Sequence, residues 1–155
     1  MMSKMVMLGF KKLHPDATIP EKAHSGDAGM DIRAIEDVDL KPYEPTLVKT
    51  GLAVDIPDWY ELQVRPRSGL ALKGVTVWNA PGTLDCGYKG EIGVVLVWSA
   101  PENYTRGDHV RCYHIKKGDR IAQLVLAPVV ECVTCEVADV GTSDRGEGGF
   151  GSTGV

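Results

Sequence analysis

The sequence has no apolar run long enough to cross a membrane. The longest candidates are residues 94–98 and 121–130, and the second is broken by Gln123 and Pro128. The first ten residues lack the apolar stretch and cleavage site of a signal peptide, so a cytoplasmic protein is expected. An excess of basic residues is also missing. The formal net charge of -4 argues against a protein that grips duplex nucleic acid. A local basic pocket on an acidic protein can still hold a small anion. Cysteine is sparse: Cys86, Cys112, Cys132 and Cys135. Cys132 and Cys135 have the spacing of half a zinc site, but no second Cys/His pair completes it. Reduced thiols on a cytosolic strand are the simpler reading. Three familiar catalytic signatures are absent: a Walker-type phosphate loop, His-Glu-x-x-His, and the G-x-S-x-G elbow. Any phosphate chemistry must therefore use another device.

What is present reads as one all-β domain. The chain has 155 residues, 43% hydrophobic and 25% charged, which suits a single globular core. Short β-branched runs are punctuated by Gly, Pro and Asp. They predict strands at 6–13, 30–34, 46–56, 60–65, 75–78, 91–98, 109–113, 120–127 and 130–140. Residues 60–64 alternate apolar with polar, as in a half-buried strand, whereas 94–97 are continuously apolar, as in a strand buried on both faces. Residues 69–73 hint at one helical turn, and no 3.6-residue period is sustained. Many closely spaced strands with turn signals between them suggest a sandwich or jelly roll. The stretch from Gly141 to Val155 holds six glycines and one aromatic, Phe150, and cannot bury enough surface to fold alone. The chain thus divides into a β body, 1–140, and an arm, 141–155.

Four segments combine residues suited to nucleotide chemistry. Arg67-Ser68-Gly69 offers a permanent forked cation, a hydroxyl, and a backbone an anion can approach closely. An ordinary turn with a surface Arg would look the same. Asn79 to Gly90 reads as a β-hairpin with a wide loop. Asp85 at its rim could act as general base for a water, and Tyr88 could form a flat floor for a sugar. Asp and Gly there are equally simple turn formers. In Lys117-Gly118-Asp119-Arg120 followed by Gln123, the Gly-Asp turn is common, and Gln123 is polar inside an apolar strand. Arg145, the glycines, Phe150, Ser152 and Thr153 are what a lid over a base and a phosphate chain needs. A flexible tail has the same composition.

Taken together, these segments resemble a known family. Ala28 to Asp31, Arg67 to Ala71, Gly82 to Gly90, Gly118 to Gln123 and Arg145 to Gly154 are similar to the five ordered motifs of the trimeric dUTP pyrophosphatases, in the family's order and at nearly its spacing. The resemblance implies a jelly-roll-like β-barrel or sandwich subunit and a homotrimer with active sites at subunit interfaces. The arm would cross to close a neighbour's site. It implies hydrolysis of dUTP to dUMP and pyrophosphate, which keeps uracil out of DNA and supplies dUMP for thymidylate synthesis. In the carried-over roles, Asp85 deprotonates a water for in-line attack on the α-phosphorus. Asn79 and the hairpin backbone at Gly82, Thr83 and Leu84 hold uracil, with Lys89 nearby. Tyr88 packs under deoxyribose and Phe150 stacks on the base. Arg67, Ser68, Gly69 and Gln123 hold phosphates, and Arg145, Gly151, Ser152 and Thr153 close over the outer ones. Mg2+ would bridge the phosphates and keep its waters, with no direct protein ligand and with Asp31 near those waters.

Two features depart from the family pattern mildly: Gly87, where many relatives carry Asp, and Lys89, where Arg is frequent. The link from Ala100 to His109 is longer than usual. It reads as a tolerated surface loop, since insertions cost little loop entropy, or as a docking point for a protein partner. Rival readings are a dCTP deaminase of the same fold, a nucleotide-sensing binding protein that presents that link, and a purely structural jelly roll.

Overall fold

Alternation of apolar and polar residues builds two facing sheets in the computed structural model, which describes residues 5–101 and 111–149. In chain order the elements are β1 (Gly9–Lys12), β2 (Gly29–Arg33), β3 (Val38–Leu40), β4 (Thr46–Asp55), β5 (Tyr60–Arg65), α1 (Ser68–Ala71), β6 (Val75–Val77), β7 (Gly82–Asp85), β8 (Glu91–Trp98), β9 (Tyr113–Ile115) and β10 (Arg120–Pro128). One sheet has the order β1-β4-β8-β6 and the other β2-β10-β5-β7. A two-stranded ribbon joins β3 to β9, and all the ladders are antiparallel.

The core lies between the sheets. Val48, Leu52 and Val54 of β4, Val75 and Val77 of β6, and Ile92, Val94 and Leu96 of β8 are buried on one side. Ile32 of β2, Leu62 and Val64 of β5, and Ala122 and Leu124 of β10 are buried on the other. Each fully buried Val, Leu or Ile side chain stabilises the fold by about 1.5–3 kcal/mol. Thr50, the buried polar residue of this core, donates its hydroxyl to the Ile92 carbonyl at 2.6 Å. Trp98 seals one end: its ring lies 6.0 Å from that of Tyr113, and its indole N–H donates to the Lys73 carbonyl.

Because side chains alternate across a strand, the same registers that bury one set expose the other. On β2-β10-β5-β7, Asp31 opposes Gln123 and Gln123 opposes Arg65. Gln63 opposes Thr83 and Glu61 opposes Asp85. The outer face of this sheet is therefore a polar lattice.

The observed strands follow the expected ones from 30 to 127, with three differences. Two short strands, β3 and β7, are additional. The segment expected at 109–113 is paired instead as β9, with 109 and 110 outside the described residues. The strand expected at 130–140 does not form. Pro128 ends β10, and the last main-chain tie is the Val129 N–H to the Trp59 carbonyl at 2.7 Å. Beyond it Val130, Val133 and Val140 are 84%, 91% and 93% exposed. The alternating pattern suits a strand, but among the described residues no strand pairs with it.

Candidate active site

The phosphate-type residues gather where β2, β10 and the end of β5 meet. Arg67 follows β5 in extended conformation and caps α1. Its Nε donates to Asp31 Oδ1 at 2.8 Å, and its Nη1 donates to the Arg120 carbonyl at 3.3 Å. Arg120 Nη1 reaches the second oxygen, Asp31 Oδ2, at 3.1 Å. Asp31 thus clamps two guanidiniums side by side, and one carboxylate leaves the pair with net positive charge. Ser68 and Gly69 begin α1, so their backbone N–H groups lie in the turn where a helix has no internal acceptor. The Ser68 hydroxyl has no hydrogen bond, and both residues are exposed.

Gln123 belongs to the same cluster. A Cβ on Gly29 would sit 3.0 Å from its Cδ, so the glycine makes room for the amide on the outer face. The amide has no hydrogen-bond partner among the described residues. Beside this cluster a cavity of about 410 Å³ is lined by Lys22, Asp31, Arg33 and Arg120 together with Glu21 and Thr18.

The hairpin residues form a second group. β7 pairs with β5 through Val64–Gly82, Gln63–Thr83, Leu62–Leu84 and Glu61–Asp85. Leu84 packs inward against the core, which sends Thr83 and Asp85 outward. Asp85 is exposed and has no side-chain hydrogen bond or ion pair among the described residues. At the hairpin's entry the Ala80-Pro81 peptide is cis. A Cβ on Gly82 would lie 3.2 Å from Asn79 Nδ2 and 3.3 Å from Val64 Cβ, so the glycine lets Asn79 fold against the strand. Tyr88 closes the turn. Its N–H donates to the Asp85 carbonyl at 3.0 Å, and its hydroxyl donates to the Glu91 carbonyl at 2.8 Å. Its ring covers Gly90, where a Cβ would meet Tyr88 Oη at 2.6 Å. Lys89 points away from the loop and pairs with Asp55 at 2.5 Å.

One subunit does not unite the two groups. Asp85 lies in the row of Glu61 and Ala127, four residues along the strands from the row of Gln123 and Arg65. That is about 13 Å along the strands before the lateral separation is added. Arg145 is elsewhere again: its Nε donates to the Gly148 carbonyl at 2.8 Å within its own exposed turn. Phe150, Gly151, Ser152 and Thr153, and the link residues 102–110, lie outside the described residues. Sequence reasoning gave no role to Arg120, although it lay within a quoted motif. It also missed Glu61, Gln63 and Arg65, whose signal was the polar phase of an alternating strand.

For a divalent cation, the described residues offer no group of three or more His, Cys, Asp or Glu side chains. Asp31 is shared between two guanidiniums. Each of its oxygens retains a lone pair that can accept from a metal-bound water. This donor set fits a hydrated ion carried by a polyphosphate.

The family model for dUTPase matches residues 15–154. A deoxyuridine 5'-triphosphate nucleotidohydrolase of Picosynechococcus sp. is 51% identical over 145 residues, covering 93% of this chain and 96% of that protein. Among solved structures, a mutant dUTPase of Staphylococcus bacteriophage 80alpha with dUpNHpp superposes with a TM-score of 0.86 at 32% identity. It covers 97% of this chain and 100% of its own, and it belongs to work in which phage dUTPases control transfer of virulence genes by a proto-oncogenic G protein-like mechanism. A mutant dUTPase from phage phi11 of S. aureus, which reveals the coordination of a structural Mg(II) ion, has a TM-score of 0.77 at 30% identity and covers 87% of this chain and 99% of its own.

Proposed function

Because the chain belongs to the dUTPase family, we infer that it hydrolyses dUTP to dUMP and pyrophosphate with Asp85 as general base. The observation that carries the role of Asp85 is its exposed carboxylate, without a partner among the described residues, on the rim of a hairpin whose Tyr88 and Lys89 side chains are both engaged. An acceptor without a protein partner can orient a water and take its proton. The attack would be in line on the α-phosphorus, with no covalent intermediate.

Uracil lies against the hairpin backbone at Gly82, Thr83 and Leu84, assisted by Asn79, and the narrow space excludes a 5-methyl group sterically. Cytosine is rejected because mismatched hydrogen bonds leave buried polar groups unpaired. Tyr88 supports deoxyribose. Arg67, Arg120, Ser68, Gly69 and the free Gln123 amide receive the phosphates, where preformed cations stabilise the developing charge. A magnesium ion carried by the triphosphate would supply further charge neutralisation, and Asp31 would accept hydrogen bonds from its waters. The arm, 141–155, brings Arg145, Phe150, Gly151, Ser152 and Thr153 over the site.

The working unit is a homotrimer in which the hairpin of one subunit faces the cation cluster of another. Two facts support it. The base and the phosphate donors are too far apart within one chain. Val130, Val133 and Val140 are also largely exposed, apolar surface of the kind a neighbouring subunit covers. The link from Ala100 to His109, most of which lies outside the described residues, is the segment proposed to engage a protein partner.

The test is pyrophosphate release from dUTP, dTTP, dCTP and UTP, with and without magnesium. Release confined to dUTP and strengthened by magnesium is expected. Equal hydrolysis of dTTP would defeat the hairpin's role, and ammonia from dCTP would point to deamination.

A further inference from the structure

Three side chains on β5 form a chain of hydrogen bonds that ends directly opposite Asp85. Arg65 donates from Nε and Nη2 to Gln63 Oε1 at 2.9 and 2.6 Å. Gln63 in turn donates from Nε2 to Glu61 Oε1 at 2.6 Å. A guanidinium can only donate, so the amide oxygen must face Arg65 and the amide nitrogen must face Glu61. Glu61 is the cross-strand partner of Asp85, and both project from the outer face because Leu62 and Leu84 project inward. Directly opposed residues hold their Cβ atoms about 4.5–5.5 Å apart, and like charges placed so repel.

We propose that Arg65, Gln63 and Glu61 are positioning residues that keep the Asp85 carboxylate unpaired and turned off the sheet toward a bound water. The proposal rests on the reading that Asp85 is the general base. Its logic is the removal of competing donors. Gln63, diagonal to Asp85, carries the nearest side-chain amide donor on β5, and the relay commits that donor to Glu61. Glu61 as a carboxylate has nothing to donate. The other residues facing Asp85 from the hairpin are Thr83 on the same face and Tyr88, whose hydroxyl is engaged by the Glu91 carbonyl. Lys89, the nearest cation in sequence, is held by Asp55. Apart from the Thr83 hydroxyl, which has no partner among the described residues, the donors around Asp85 are committed elsewhere, and the base is left for the substrate's water.

The experiment compares Glu61→Ala, Glu61→Gln and Glu61→Lys in the full-length protein by steady-state dUTP hydrolysis, with Asp85→Asn as reference. If the relay withholds donors, the order of kcat is wild type, Ala, Gln, Lys, with KM little changed. Glu61→Ala should cost about threefold, from lost repulsion and from release of the Gln63 amide, which is only diagonal to Asp85. Glu61→Gln should cost about tenfold, because its new amide can bond Asp85. Glu61→Lys should approach the loss in Asp85→Asn. A role in strand packing alone predicts the reverse for the first pair, since Gln preserves the shape of Glu and Ala does not. Glu61→Gln at or above Glu61→Ala therefore overturns the proposal. If Glu61→Gln fails to assemble, Arg65→Met frees the Gln63 amide from the other end. A fall in kcat at constant KM is then expected, and an unchanged kcat overturns the relay. Full turnover in Asp85→Asn would instead remove the underlying reading of the base, an outcome distinct from a wrong order among the Glu61 variants.

Discussion

Mixing two dead variants tests whether the active site is shared between subunits. Asp85→Asn removes the proposed base but leaves the cation cluster intact. Arg67→Ala removes a guanidinium bound to Asp31 but leaves the hairpin intact. Within one chain Asp85 lies in the row of Glu61, four residues or about 13 Å along the strands from the row of Arg65, and Arg67 follows two residues beyond the end of β5. A site drawing its base from one subunit and its cations from another needs Asp85 intact in the first and Arg67 intact in the second. In an equimolar mixture, denatured together and refolded, each condition is met half the time. About a quarter of the sites should then be whole, so the mixture should recover about 25% of wild-type turnover. Every site contained in one subunit would carry one lesion or the other, and the mixture would be no better than its parents. The assay is pyrophosphate release from dUTP before and after co-refolding, with each variant refolded alone as control. Activity at the parental level, in a mixture shown to be trimeric, would refute the composite site.

Deleting residues 145–155 should cripple turnover while leaving the oligomer and its melting temperature in place, as calorimetry and sedimentation can check. A fully active truncation would exclude the arm from the site. Gly82→Ala would place a methyl 3.2 Å from Asn79 Nδ2 and 3.3 Å from Val64 Cβ. It should raise KM for dUTP by displacing Asn79 and should cost about 1–3 kcal/mol in chemical denaturation, as overpacking does. Asp16 accepts a hydrogen bond from Lys117, which with the charge of Lys117 holds the Asp16 carboxyl below the usual range. The associated stability is present above the unfolded carboxyl's pKa and is lost as pH falls through the lowered folded value. Lys117→Met should move the Asp16 titration upward by NMR, and an unmoved titration would deny the pairing.

Much of the fold was legible because the two-residue period is local. Residues 60–64 announced β5 through alternation, and 94–97 announced the buried middle of β8 through unbroken apolarity. The elements that were missed have little period to read. β3 has three residues, and β7 spells Gly-Thr-Leu-Asp, in which Leu84 is the one large apolar side chain. The opposite error, at 130–140, has a complementary cause. Alternation there was real, but a strand is a pairing, and none of the described residues pairs with it. A pattern of exposed valines with no ladder is how a subunit looks when part of its core belongs to an assembly.

The site was legible only as a set. Arg67, Asp85 and Gln123 each have an ordinary explanation as a turn cation, a turn former and a stray polar residue. Geometry removes two of those explanations. Asp85 does not cap or close its own turn with its side chain; Tyr88 and the backbone do that work. Gln123 has no side-chain partner among the described residues, and Gly29 leaves room for it. Arg67 is different, since Asp31 binds it, but Asp31 binds Arg120 as well, so the cluster keeps an uncompensated positive charge. An exposed carboxylate, an amide without a partner among the described residues and an excess guanidinium are each available to a ligand. Their coexistence on one outer face is explained if they are completed together, by a polyanionic nucleotide lying between one copy of this chain and the next. Co-refolding measures that step directly, because it depends on where the residues lie and not on which residues they are.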